Sequence, residues 1–104
     1  MNDKKFEMIF CVVNAGFSEI VMEAARDAGA KGGTVIHGRG TANKDAEEKF
    51  RITVQPDKEI IMIIVPEEIK DNVMNAIYNE AGLNTPSQGI AFSVSVNRAV
   101  GLSE

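Results

Sequence analysis

Two glycine-containing segments have the residue types in this sequence best suited to binding an anion. Gly38-Arg39-Gly40 places a guanidinium between two flexible residues. Gly32-Gly33-Thr34 can present backbone N–H groups and a hydroxyl to a phosphate or to the edge of a base. A solvated loop arginine and a helix-exit turn are the purely structural alternatives. The first segment lacks the spacing and the helix of a Walker A or dinucleotide-binding motif, so the motifs leave the class of ligand open.

Catalysis and metal binding find little support in the sequence. There is one histidine, His37, and one cysteine, Cys11, so neither a Ser-His-Asp nor a Cys-His arrangement can be assigned. The acidic residues are scattered and give no carboxylate pair for general acid–base work. We expect His37 to lie on the surface at the end of a strand; a metal shared by three subunits on a threefold axis is the open alternative. A small enzyme is therefore the weakest functional hypothesis.

The composition predicts a single cytoplasmic domain over residues 1–104. Hydrophobic residues make up 44% of the chain, and 15 Asp and Glu against 11 Lys and Arg give a net charge of −4. An acidic chain of this kind is not a general nucleic-acid binder. No run approaches the ~18 apolar residues of a membrane span, and the N-terminal run is too short for a signal peptide. The lone Cys11 forms no internal disulfide, which favours a reducing compartment.

The hydrophobic pattern predicts alternating strands and helices. The expected strands are residues 6–13, 34–37, 50–54, 59–65 and 90–96. Helices are expected over 19–28 and from residue 66 to about 81, and an exposed loop over 39–49. The stretch from 50 to 65 gives one or two strands between the loop and the second helix. The resulting βαββαβ series favours a ferredoxin-like α+β fold, in which both helices cover one face of an antiparallel sheet.

Capping residues predict where the helices begin and end. Ser18 is expected to cap the first helix, and Gly29 follows its last turn. Pro66 is expected as the first residue of the second helix. The buried stripe of that helix ends with either Tyr78 or Ala81.

The strand expected at 59–65, EIIMIIV, is apolar on both of its faces. Residues 60, 62 and 64 point to one face and residues 61, 63 and 65 to the other. Two helices can cover only one face of the sheet, so the second face would be an exposed apolar patch. We therefore expect an obligate homo-oligomer packed sheet to sheet, with ligand clefts between its subunits.

Three segments carry a resemblance to a known family. The strand and helix KEIIMIIVPEEIKDNVMNAI, the turn and strand AGAKGGTVIHGRG, and the last strand GIAFSVSV resemble corresponding parts of the PII nitrogen-regulatory signalling proteins. The resemblance covers nearly the whole chain in order. It is the combination of the three segments, rather than any one of them, that identifies the chain as a PII-like protein.

The resemblance implies a ferredoxin-like homotrimer that senses metabolites and regulates other proteins. PII clefts bind ATP or ADP, sometimes with 2-oxoglutarate, and the ligand sets the conformation of a T-loop that docks on a target protein. Here the T-loop would be residues 39–49, and the target a membrane transporter or a metabolic enzyme of nitrogen or related metabolism. The implied cleft residues are Gly32, Gly33, Thr34, Gly38, Arg39, Gly40, Gly89 and, lining a base pocket, Ile64.

Departures from the PII pattern weaken the implied polyphosphate site. The family's Gly-Asp-Gly-Lys loop falls on Ser87-Gln88-Gly89-Ile90, and its two C-terminal arginines fall on Gly101 and Ser103. The loop also lacks the tyrosine that is uridylylated in some members. We therefore expect a small anionic effector, with ADP, AMP or ATP as candidate nucleotides and a preference for fewer phosphates than ATP carries. The alternative is a nucleotide-insensitive, constitutive binding subunit of a transporter or enzyme.

Overall fold

The computed structural model describes residues 5–41, 56–83 and 89–102, which form an antiparallel sheet and two helices. In chain order the elements are β1 (Phe6–Asn14), α1 (Ser18–Asp27), β2 (Thr34–Arg39), β3 (Asp57–Pro66), a 3₁₀ turn (Glu67–Ile69), α2 (Lys70–Glu80) and β4 (Gly89–Ser95). The strand order is β2-β3-β1-β4. This confirms the predicted ferredoxin-like α+β fold. The strand predicted at 50–54 and most of the loop predicted at 39–49 lie outside the described residues.

The core lies on one face of the sheet because alternate residues of the two central strands are buried beneath the helices. The fully buried residues of β1 and β3 are Ile9, Cys11, Val13, Ile61, Ile63 and Val65. They belong to one cluster with Val21 of α1 and with Val73 and Ile77 of α2. Burial raises the pKa of the Cys11 thiol to about 12, so this thiol stays protonated at neutral pH and is a core side chain rather than a nucleophile.

The start of α1 is capped from a distant strand rather than by its own sequence. Phe17 occupies the N-cap position and makes no side-chain capping hydrogen bond, so the prediction that Ser18 is the N-cap is wrong. The opposite end of the helix agrees with expectation. Gly29 has φ +114°, and the hydrogen bonds Gly29 N–H to Arg26 O (3.0 Å) and Ala30 N–H to Ala25 O (2.9 Å) form a Schellman motif.

The second helix begins later than expected. Pro66 ends β3 with φ −57° and ψ 143°, and the 3₁₀ turn separates it from α2. The Glu67 N–H donates to Lys5 O at 2.9 Å, which extends the contact with β1 beyond the end of β3. The prediction that Pro66 is the first helical residue is therefore wrong. Ala81, 4% exposed, completes the buried stripe, whereas Tyr78 is 52% exposed.

The opposite face of the sheet, here called the open face, is apolar across all four strands. Strand pairing places three rows of neighbouring residues on it: Ile36, Ile60, Val12 and Ile90; Thr34, Met62, Phe10 and Phe92; and Ile64, Met8 and Val94. The rings of Phe10 and Phe92 stack with centroids 5.3 Å apart. The two helices lie on the other side, so the predicted apolar second face is present in the chain.

Candidate functional site

A cavity of about 580 Å³ lies beside the start of β2. Its backbone wall is the connection from α1 to β2, residues 29–34, and its apolar side chains include Met8, Met62 and Ile64 of the open face. Leu102 of the C-terminal tail also lines it. Four of the residues predicted for the site therefore lie together here: Gly32, Gly33, Thr34 and Ile64.

Gly33 brings this backbone wall directly against β3. A Cβ atom at Gly33 would lie 2.8 Å from the Met62 carbonyl oxygen and 3.1 Å from both Ile63 Cγ1 and Met22 Sδ. A side chain at this position would have to push β3 or α1 aside. The glycine thus follows from a close approach of two segments, and it shapes the cavity without needing a ligand role of its own.

The other predicted site residues lie elsewhere in the chain. Thr34 is opposite Met62 and Arg39 is opposite Asp57. At ~3.3 Å per residue, Gly38, Arg39 and Gly40 therefore lie about 13 to 20 Å from Thr34 in the direction of β2. Gly89 is the first residue of β4, at the other edge of the sheet, where it pairs with Val13 of β1. Within one chain the structure separates these four residues from the cavity, and only contacts between copies could bring the two groups together.

Strand alternation also places Arg39 on the other face of the sheet from the cavity. Val35, His37 and Arg39 share one face, and His37 lies near Glu59 on the helix side. Thr34, Ile36 and Gly38 share the open face with Ile64. Arg39 and Ile64 therefore do not converge on one ligand within a single chain.

Two lysines near these positions were not predicted as site residues from the sequence. Lys58 lies on the open face at the root of the loop, where its Nζ donates to Asn14 Oδ1 at 2.7 Å. A Cβ atom at Gly40 would lie 3.0 Å from Lys58 Cε, so Gly40 packs on the lysine side chain. Lys31 lines the cavity. The alternation that puts Ile60, Met62 and Ile64 on one face also predicts Lys58 there, whereas nothing in the local pattern marks Lys31.

The carboxylate of Glu59 joins the first helix to the sheet beside the loop root. Its Oε1 accepts hydrogen bonds from the N–H groups of Gly16 (3.0 Å) and Ser18 (3.1 Å), and its Oε2 lies 3.8 Å from His37 Nδ1. Burial raises the pKa of this carboxyl, but the hydrogen bonds from Gly16 and Ser18 and the charge of His37 outweigh burial and hold the pKa below its usual value. Glu59 is thus an ionised structural cap rather than a proton donor.

Other kinds of site find no support in the described part of the chain. Residues 5–41, 56–83 and 89–102 hold no cluster of His, Cys, Asp and Glu side chains able to bind a metal ion. Neither of the two described helices is long and apolar enough to cross a membrane. The cavity beside β2 is accordingly the strongest candidate site.

Comparison with known proteins identifies the family. The family model described as nitrogen regulatory protein P-II matches residues 6–104. The chain belongs to the P-II family. Members of this family are regulatory signalling proteins rather than enzymes, which confirms both the predicted family and the predicted class of function. A search of curated proteins finds no match.

Solved P-II structures share the fold. The crystal structure of Arabidopsis thaliana PII bound to citrate is 24% identical, with a TM-score of 0.68 over 90% of this chain and 79% of that one. A putative PII-like signaling protein from Thermus thermophilus is 19% identical, with a TM-score of 0.66 over 88% of this chain and 87% of that one. Similarity at these identities concerns the fold alone.

One P-II position that has lost its expected cation lies near the cavity. Gly101, where the resemblance expects an arginine, is exposed and has φ +93°. This backbone conformation favours glycine, and the next residue, Leu102, lines the cavity. The expected phosphate-contacting loop at Ser87 and Gln88, and the tail residue Ser103, lie outside the described residues. The described tail therefore contributes an apolar side chain, that of Leu102, to the cavity beside β2.

Proposed function

We propose that this P-II family protein is a cytoplasmic homotrimer that binds a small anionic effector in clefts between its subunits. The effector shifts the loop at 39–49 between conformations with different affinity for a target protein. That target is a membrane transporter or a metabolic enzyme of nitrogen or related metabolism. The observation that carries this proposal is the uncovered apolar face of the sheet.

The open face exposes large apolar side chains to solvent in a single chain. Ile90 is 61% exposed, Val94 46% and Phe92 43%, and all three continue the apolar rows of the central strands. Contiguous apolar patches on monomeric proteins commonly mark interaction sites. Assembly of identical copies through this face would bury these side chains, and it would turn the sheet edges into the walls of clefts between subunits.

The cavity beside Thr34 is where we place the effector. Its volume of about 580 Å³ is in the range of small-molecule sites. Lys31 supplies positive charge, while Ile64 and its neighbours supply an apolar wall. The Arabidopsis PII structure contains citrate, a small anion, which supports this class of ligand. Because the apolar wall could also hold a base, ADP, AMP and ATP are the nucleotide candidates.

The position of β2 connects this cavity to the loop. Thr34, the first residue of β2, lines the cavity, and Arg39, its last, stands at the root of the loop. Among the described strands β2 pairs only with β3, so a ligand at Thr34 acts on an edge strand that is held from one side. A small shift of this strand would reach the loop directly.

Calorimetric titration of the purified oligomer tests the proposal. The panel is ATP, ADP, AMP, cyclic AMP, citrate and 2-oxoglutarate, each with and without magnesium, and sedimentation of the same sample measures the number of chains. Selective binding of one compound to a trimer supports an effector-responsive regulator. A trimer that binds none of them, yet captures its partner equally with and without metabolites, would instead establish the constitutive binding subunit.

Replacing Arg39 with alanine is expected to uncouple the loop from the effector. Because Arg39 lies at the loop root and not in the cavity of its own chain, the effector should still bind within about twofold of the wild-type affinity. The response of the loop should be lost. Hydrogen exchange of the peptide spanning residues 40–56, with and without effector, measures that response.

Lys58→Ala is the matched control for Arg39→Ala, because it also removes one positive charge at the loop root but from the open face. Loss of effector binding in Arg39→Ala, with a normal trimer, would show that Arg39 of a neighbouring subunit contacts the ligand. If the loop of Arg39→Ala still responds to the effector as in the wild type, Arg39 does not transmit the effector signal to the loop.

A further inference from the structure

The edge strand β2 is joined to the rest of the chain by a side-chain contact as well as by its pairing with β3. His37 of β2 lies directly opposite Glu59 of β3, and its Nδ1 atom is 3.8 Å from Glu59 Oε2. The other oxygen of the same carboxylate, Oε1, accepts hydrogen bonds from the N–H groups of Gly16 and Ser18 at the start of α1. One carboxylate therefore connects β2, β3 and the first helix.

The two partners of this contact differ in how firmly they are held. The side chain of Glu59 is 11% exposed, whereas that of His37 is 80% exposed. Because the hydrogen bonds from Gly16 and Ser18 already orient the carboxylate, only the imidazole loses rotational freedom when the two side chains pair. Solvent around the imidazole screens the attraction, so the contact should change the equilibrium for opening β2 by about threefold.

His37 is the group at this position whose charge changes near neutral pH. It is the one histidine of the chain, and imidazole is the side chain that ordinarily titrates between pH 5 and 8. The other charged residues that face it from β2, β3 and α1 belong to types that ordinarily stay ionised over this range. They are Arg39 of β2, Asp57 of β3 and, lining the groove beside Val35, Glu19, Glu23 and Arg26 of α1. A change in this contact between pH 5 and 8 is therefore assigned to His37.

We propose that His37 and Glu59 form a pH-dependent ion pair that holds β2 more firmly against β3 and α1 when the imidazole is protonated. A histidine that gains an anionic partner on folding contributes stability that is present in acid and is lost as pH rises through the imidazole titration, ordinarily at about pH 6.5. The pKa of Glu59 lies below its ordinary value of about 4.3, so the ion pair should form from about pH 4.5 up to neutral pH. The effect on β2 requires no effector; its extension to the loop beyond Arg39 rests on the proposed function.

A double-mutant cycle measured by hydrogen exchange tests this ion pair on the intact oligomer. The four proteins are the wild type, His37→Ala, Glu59→Gln and the double variant, and the opening equilibrium of the peptide that covers β2 is measured at about pH 5.5 and about pH 8. After correction for intrinsic exchange rates, the coupling between the two positions should be about threefold at the lower pH and should disappear at the higher pH. The cycle subtracts the weakened cap of α1, because both proteins with glutamine at position 59 share that defect.

Asp57→Asn is the matched control for Glu59→Gln, because Asp57 precedes Glu59 by two residues on the same face of β3 and carries the same charge. A cycle of Asp57→Asn with His37→Ala should give a clearly smaller coupling at the lower pH. Equal couplings for the two carboxylates would reduce the effect to the net charge of this edge of the sheet and overturn the ion pair. A coupling with Glu59 that does not change with pH would overturn it as well.

The hydrogen-exchange result can be separated from the fate of the proposed function, because it concerns β2 without any ligand. If the coupling is present but no metabolite binds a confirmed trimer, the ion pair stands and the proposed effector fails. If an effector binds and the coupling is absent at both pH values, the ion pair is wrong while the proposed function stands.

Discussion

Replacing Phe92 with aspartate is expected to convert the oligomer into folded single chains. Phe92 stacks on Phe10 in the middle of the open face and is 43% exposed in the isolated chain, so the single chain can accept a carboxylate there. In the assembly the same carboxylate would be buried without a partner, at a cost of several kcal/mol for each copy. Association should therefore weaken by more than about a thousandfold.

Sedimentation and circular dichroism together test the Phe92→Asp variant. The expected outcome is a single chain with the secondary structure of the wild type. Val100→Asp is the control, because Val100 is 86% exposed and follows the end of β4; this variant should sediment like the wild-type oligomer. A Phe92→Asp protein that still sediments as a trimer would show that the open face is not the assembly surface.

Replacing Glu59 with alanine is expected to lower the free energy of unfolding by about 2–3 kcal/mol at neutral pH. The N–H groups of Gly16 and Ser18 would lose the carboxylate oxygen they share, and the N-cap residue, Phe17, makes no side-chain capping hydrogen bond that could replace it. Glu59→Gln keeps an acceptor oxygen at this position and should lose less stability. Denaturant unfolding of the three proteins measures the differences.

The contribution of Glu59 to the free energy of unfolding should also depend on pH. Its pKa in the folded chain is below the ordinary value, which is about 4.3 for glutamate. A depressed folded pKa gives stability that is fully present above the unfolded value and is lost as pH falls through the folded value. The advantage of the wild type over Glu59→Gln should therefore shrink below about pH 4. A difference between the two proteins that stays constant down to about pH 2 would show that the ionised carboxylate of Glu59 does not stabilise the fold.

The sequence predicts the fold well wherever the signal is local or periodic. Apolar runs of strand length predict β1 and β3, and Gly29 marks the end of α1 because a left-handed residue is required there. The N-terminal cap of α1 could not be predicted, because its acceptor, Glu59, is more than 40 positions away in the chain. Pro66 misleads because its preferred φ suits both a first helical residue and the extended strand end that it forms.

The candidate site is predicted less completely. Gly32, Gly33, Thr34 and Ile64 converge because the α1–β2 connection folds onto the edge of β3. Arg39 lies near them in sequence but is separated by the length of β2 and by strand alternation, neither of which its glycine-flanked motif reflects. Lys58 was recoverable from that same alternation. Lys31 was not, because only the cavity itself distinguishes it from an ordinary exposed lysine.

The strand order also has a consequence for how the chain is made. β1 is a central strand, yet its partners come much later: Asn14 contacts Lys58 after 44 positions, and Glu7 contacts Ser95 after 88. During synthesis the ribosome therefore delivers the apolar segment FEMIFCVV long before β3 and β4 exist to flank it. Contacts this distant slow folding, and an unpaired apolar strand is the part of a nascent chain most prone to aggregate. Lys5 and Glu7, charged residues at the start of this segment, are placed where they oppose such association until β4 has been translated.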